Sequence, residues 1–271
     1  MEEACLLINY KRGVATLRLN RPHVHNAFDD RLVATLIATL EELKSNPFIR
    51  VIVLTNNGTS FSAGADLKWM QRMVNYSEAQ NLQDSLQLAK LMHTLYNMPQ
   101  PTIAMINGAV FGGGIGLVAC CDIAIAHEHV RFCFSETKLG LIPAVISPYV
   151  IKAIGERAAR YYFLTAQTFN ARIALDMGLI SEIVAPEELV ETTQHIANTI
   201  MRNSPAALEA CKELIAYVTQ HPLDETLSRN VAQRIAKIRV SPEGQEGLHA
   251  FLEKRPAEWV SDNADNDATN S

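Results

Sequence analysis

The chain has 271 residues, 48% of them hydrophobic and 20% charged, which is enough apolar material for one large domain or a domain with an appended piece. A formal charge of −5 excludes a generally basic surface for nucleic acid, and no apolar run has the length of a membrane span. The acidic start Met1-Glu2-Glu3-Ala4-Cys5 has neither the apolar stretch of a secretory signal nor the arginines of a transit peptide. The odd number of cysteines, 5, includes no Cys-x-x-Cys pair, so reduced, mostly buried thiols and a cytoplasmic location are expected.

Taken in chain order, residues 6–10 and 14–19 alternate as two strands joined by a turn at Lys11-Arg12-Gly13. Asn20-Arg21-Pro22 ends the ladder. Asp29 or Asp30 then caps a helix through about Leu43, with Leu32, Val33, Leu36, Ile37, Leu40 and Leu43 at helical spacing. Residues 51–55 and 102–106 are continuous apolar runs, as expected of strands buried on both faces, and a helix is predicted over 78–96 between them. A helix through about Ala119 leads to strands at 123–126 and 131–134. This alternation predicts an α/β fold with a largely parallel sheet. Beyond about Ile142 helical patterns dominate, at 149–154, 158–164, 170–177, 187–202, 205–219 and 223–240.

Two glycine-marked turns follow apolar strands and open helices. The first is Ala63-Gly64-Ala65-Asp66-Leu67-Lys68, whose small residues let a ligand approach the backbone N–H of Ala65. Its plain alternative is an ordinary strand-to-helix loop. The second, Asn107 to Gly116, offers the N–H of Gly113. The spacing of Gly112, Gly114 and Gly116 does not match G-x-G-x-x-G, and no G-x-x-x-x-G-K-[ST] phosphate loop is present. Here the alternative is close helix–sheet packing. Glu136 lies downstream, after apolar Phe134. In an apolar pocket its carboxyl would shuttle protons near neutral pH; otherwise it caps a loop or pairs with Lys138. Two N–H groups on one oxygen with a nearby carboxyl suit chemistry on a carbonyl whose oxygen becomes negative. His127 and His129, two apart on a strand, are expected on opposite faces, so no metal site is predicted.

In this order, these turns resemble the enoyl-CoA hydratase/isomerase (crotonase) superfamily over nearly the whole chain. Asn20-Arg21-Pro22 with Asn26-Ala27, the Ser62 to Lys68 segment, Asn107-Gly108 through Gly114, and the Ser204-Pro205 segment all carry the likeness. The resemblance implies a crotonase-like spiral core of ββα units over residues 1–195 and a C-terminal helical oligomerisation region over 196–260, while the polar, acidic composition of 261–271 predicts a disordered tail. It implies an acyl-CoA thioester substrate, no separate cofactor because coenzyme A belongs to the substrate, no metal, no nucleic-acid partner, and a homotrimer or hexamer. Carried over residue by residue, Ala65 and Gly113 hold the thioester oxygen, Glu136 is the acid/base, and Ala63, Gly64, Ala65, Asp66, Leu67, Lys68 and Gly113 line the substrate. Pocket walls are expected from Trp69, Met70, Met73, Val145 and Tyr149, with Lys68, Arg72 and Lys138 as candidate cations.

One departure is plain. The family's hydratases typically carry two glutamates. Glu136 matches the second, and Gly116 stands where the first would be. A single acid also serves the family's isomerases, which shift a double bond. The stretches Gly112 to Ala119 and Glu136 to Val150 look like the bacterial 3-methylglutaconyl-CoA hydratase branch. Hydration of that branched acyl-CoA, Δ3,Δ2-enoyl-CoA isomerisation, and non-catalytic acyl-CoA or RNA binding are the readings left standing.

Overall fold

The structure, a computed structural model, describes residues 3–260; the tail expected to be disordered lies outside them. The chain divides into two compact units, one of residues 1–98 and 102–194, the other of residues 99–101 and 195–271.

In the first unit, β1 (Leu6–Lys11) and β2 (Val14–Leu19) form an antiparallel hairpin. Its turn uses left-handed Arg12 and Gly13. Next come α1 (Asp30–Lys44), β3 (Val51–Asn56), β4 (Ser60–Ser62), α2 (Leu67–Met73), α3 (Glu78–Tyr96), β5 (Thr102–Ile106), β6 (Ala109–Phe111) and α4 (Gly113–Cys120). They are followed by β7 (Ile123–His127), β8 (Arg131–Cys133), α5 (Ser147–Thr165), β9 (Phe169–Asn170), α6 (Ala171–Asp176) and β10 (Glu182–Val184). The larger sheet has the order β1-β2-β3-β5-β7-β10, and its pairs from β2 onward are parallel.

A second sheet, β4-β6-β8-β9, was not expected from the sequence. Each turn of the chain sets one long strand in the larger sheet and the following short one in the smaller: β3 with β4, β5 with β6, β7 with β8. Both sheets therefore advance in chain order, which is the spiral of ββ units with helices between. β3 and β5 are buried at every position, as strands covered on both faces must be. α1 starts where Asp29 accepts a hydrogen bond from Leu32 N at 2.8 Å, and it buries Leu32, Val33, Leu36, Ile37, Leu40 and Leu43 along one stripe. The helical patterns at 149–154 and 158–164 are the two halves of α5, joined at Gly155 with φ 77° and ψ 161°.

α7 (Leu189–Met201) runs across the division between the units. The second unit also holds α8 (Pro205–Val218), α9 (Glu225–Arg239) and α10 (Pro242–Glu253), capped by Ser204, Asp224 and Ser241. Within it, Glu243 accepts from Ser204 Oγ at 2.5 Å and Ala206 N at 3.1 Å, joining α10 to the start of α8. Its own apolar core is small. Ala197, Ile200, Leu227 and Ala250 are buried, while Ile215, Ile235, Leu248, Phe251 and Leu252 are exposed.

Candidate active site

The two glycine turns meet. A Cβ at Gly64 would lie 3.2 Å from Phe111 O and 3.7 Å from Gly113 N. One at Gly112 would lie 3.7 Å from Gly64 Cα. Gly64 and Gly112 have φ of 87° and 49°, so both turns need glycine for conformation as well as for space. Their closeness follows from the small sheet: β4 and β6 are parallel neighbours, and each runs directly into one of the turns.

In the first turn Ala65 forms a parallel bridge to Phe28. Gly64 O accepts from Phe28 N at 2.6 Å and Asp66 N donates to Phe28 O at 2.8 Å. The residues flanking Ala65 thus make the bridge, and Ala65's own N–H is directed to the other side. In the second turn Gly113 is the first residue of α4, where helix geometry leaves the N–H without an intrahelical acceptor. Neither N–H has an acceptor among the described residues. Ala65 is exposed and Gly113 half-buried.

Glu136 stands at the same junction. Its Oε1 would be 3.3 Å from a Cβ at Gly112. Its Oε2 is buried with no hydrogen-bond partner. Burial pushes the carboxyl above its ordinary value, against a smaller opposing effect of its own backbone N–H. Lys138 is exposed and makes no ion pair with it among the described residues, so the alternative of a simple surface pair does not hold.

The rest of the predicted stretch is divided in role. Ala63 is half-buried, and its N–H donates to His25 O at 2.9 Å. Leu67 and Lys68 are exposed at the start of α2. The Asp66 side chain turns inward, caps α2 through Lys68 N at 2.7 Å, and pairs with Arg21 at 3.0 Å. Burial alone would raise the Asp66 carboxyl, but the N–H groups of Lys68 and Trp69 and the Arg21 guanidinium together hold it below its ordinary value. Trp69 is buried in the core, with Met73, Val145 and Tyr149 packed against that core. Arg72 is paired with Asp30.

At Gly116 the space for a side chain is filled: a Cβ would lie 2.2 Å from Ile146 Cγ2 and 3.1 Å from Met92 Cε. No second carboxylate fits there without moving both. The two histidines depart from expectation. Side chains two apart on an extended chain share a face rather than opposing ones, and the rings of His127, at the end of the strand, and His129 approach edge-to-face at 5.9 Å. No group of three or more His, Cys, Asp or Glu side chains able to hold a metal occurs among the described residues. No described helix is long and apolar enough to cross a membrane. Phe28, Ile146 and Asn56 frame the site but carry no sequence signal beyond ordinary core or turn residues. For Phe28 the neighbouring Asn26-Ala27 was the available pointer.

Known proteins resemble the chain over nearly its whole length. A provisionally named enoyl-CoA hydratase/isomerase (crotonase) of Legionella pneumophila has a solved structure that is 49% identical, with a TM-score of 0.92 over 96% of this chain and 100% of that one. An enoyl-CoA hydratase from Shewanella pealeana is 45% identical, also with a TM-score of 0.92, over 94% of this chain and 96% of its own. The 2,3-dehydroadipyl-CoA hydratase of Escherichia coli is 30% identical over 94% of this chain and 98% of its own length. The trans-2-decenoyl-[acyl-carrier-protein] isomerase of Streptococcus mutans is 28% identical over 92% of this chain and 95% of its own. With residues 9–262 matching its model, the chain belongs to the enoyl-CoA hydratase/isomerase family.

Proposed function

We propose that the protein hydrates a branched α,β-unsaturated acyl-CoA, 3-methylglutaconyl-CoA to 3-hydroxy-3-methylglutaryl-CoA, with Glu136 as the one acid/base. The observation that carries this reading is the Glu136 carboxyl, buried with an unpartnered oxygen, against the point where the two donor turns meet. The thioester oxygen accepts from Ala65 N–H and Gly113 N–H. Glu136 as carboxylate takes a proton from water, the hydroxyl adds to Cβ, and the electron pair moves to the thioester oxygen as an enolate. The protonated Glu136 then delivers that proton to Cα, so water is consumed and the carboxylate is regenerated. The two fixed donors stabilise the enolate, and loss of one such donor costs about 3 kcal/mol of transition-state stabilisation. The Ala63 to Lys68 stretch lines the coenzyme A path, and Lys68 neutralises phosphate. The substrate's own distal carboxylate helps place the water. No cofactor beyond the substrate's coenzyme A takes part.

A second reading, Δ3,Δ2-enoyl-CoA isomerisation, is favoured by the filled space at Gly116. It needs one group to move a proton between two carbons and no activated water. Mass spectrometry in heavy-oxygen water separates the two. Hydration of 3-methylglutaconyl-CoA gives a product one water heavier that carries the label. An unchanged acyl mass, with a shifted double bond when a 3-enoyl-CoA is supplied, makes the protein an isomerase.

The working form in this reading is a homotrimer or a hexamer. The apolar side chains that the helical unit leaves exposed, Phe251 and Leu252 among them, support self-association.

A further inference from the structure

Outside the proposed donor and acid groups, Phe28 touches both turns. The backbone of Phe28 makes the two hydrogen bonds of the parallel bridge, at 2.6 Å to Gly64 O and 2.8 Å from Asp66 N. Its ring reaches the second turn, where a Cβ at Gly113 would lie 2.9 Å from Cε2 and 3.2 Å from Cδ2. The residue is 1% exposed, so the ring has no open space into which to swing. The loop before it is fastened on several sides. Arg21 Nη1 donates to Ala27 O at 2.5 Å, and Asn26 Nδ2 donates to Asn57 O at 2.8 Å and Ser60 O at 2.7 Å. Arg21 also pairs with Asp29 at 2.9 Å and Asp66 at 3.0 Å, the caps of the helices on either side.

We propose that Phe28 is a positioning residue that sets the distance and direction between the N–H of Ala65 and the N–H of Gly113. The inference rests on the proposed role of those two groups in holding the thioester oxygen. Its backbone fixes which way Ala65 N–H points, and its ring edge is the wall against which the Gly113 end of α4 rests. Two donors share one oxygen only within narrow limits of length and angle. Phe28→Leu keeps the bridge and an apolar core side chain but removes the ring edge; Phe28→Ala removes more.

The test has a kinetic and a spectroscopic arm. In Phe28→Leu, kcat on an enoyl-CoA falls on the order of tenfold to a hundredfold while KM stays within about threefold, because misplaced catalytic groups cost rate more than binding. Isotope-edited infrared difference spectra of a saturated acyl-CoA, labelled at the thioester carbonyl, report the donors directly. On wild type the carbonyl stretch moves to lower wavenumber on binding; on Phe28→Leu that displacement shrinks. Leu36→Ala, in the core under α1, is the control for lost packing alone: its thermal midpoint falls and the carbonyl displacement stays. If Phe28→Ala does not fold, Phe28→Leu carries the test. A Phe28→Leu protein with the full displacement and the wild-type rate overturns the inference. A wild-type protein that binds the acyl-CoA with no displacement overturns the underlying reading of Ala65 and Gly113, which is a different result.

Discussion

Glu136 carries an unpartnered buried oxygen, and such a group is costly to charge. Its carboxyl is raised above the ordinary value of 4.5 in the folded chain. The folded state therefore holds its proton longer than the unfolded state does. Stability is lost as pH rises from the ordinary value through the raised one, and the penalty is fully present above it. Glu136→Gln removes that titration. The variant is predicted to melt higher than wild type at neutral pH, with the difference closing as pH falls below about 4.5 in calorimetric scans. Gly112 constrains the same group from the other side. Its φ of 49° and ψ of −126° suit glycine, and an added Cβ would press on Glu136 Oε1 at 3.3 Å. Gly112→Ala is predicted to lose about 1–3 kcal/mol in urea unfolding through backbone strain, and on the order of tenfold or more in kcat through a displaced carboxyl.

At the scale of elements, the packing of α4 on the start of α5 decides what side chain can stand at position 116. Gly116 of α4 faces Ile146, the residue that precedes α5, with no room for a methyl group. Gly116→Ala is predicted to cost about 1–3 kcal/mol by overpacking, and adding Ile146→Ala is predicted to recover part of that in denaturant titrations. Asn56 joins the two turns one level deeper. From the end of β3 it donates to Asn107 O at 2.7 Å and accepts from Asn107 N at 3.3 Å, fixing the strand before one turn to the strand end before the other. How legible these parts were depends on length and on partners. β3, β5 and α1 were readable because five or more consecutive positions repeat a burial pattern. β4 and β6 have 3 residues each, too few for any period, so the sheet that brings the turns together was invisible. The glycine turns and Glu136 were legible as candidates because their residue types are unusual for their places. Phe28 and Ile146 look like any core residue, and their role depends on contacts far along the chain.

For the whole molecule, the two units differ in how they bury apolar surface. The first has a continuous core from Cys5 to Ile180. The helical unit leaves Phe251 and Leu252 exposed at 81% and 74%, the face that the proposed self-association would cover. Phe251→Glu is predicted to lower the assembled mass toward the 30.0 kDa of one chain in light scattering, while an unchanged mass would remove that face from the assembly. Ala65, Gly113, Glu136 and Phe28 all lie in the first unit. The central claim, that one buried carboxyl beside two backbone donors performs the proton chemistry, is tested most directly by assaying Glu136→Gln with 3-methylglutaconyl-CoA and a 3-enoyl-CoA while measuring acyl-CoA binding by calorimetry. The account predicts that both turnovers are abolished and binding survives. Near-normal turnover of either substrate by the folded variant would contradict it.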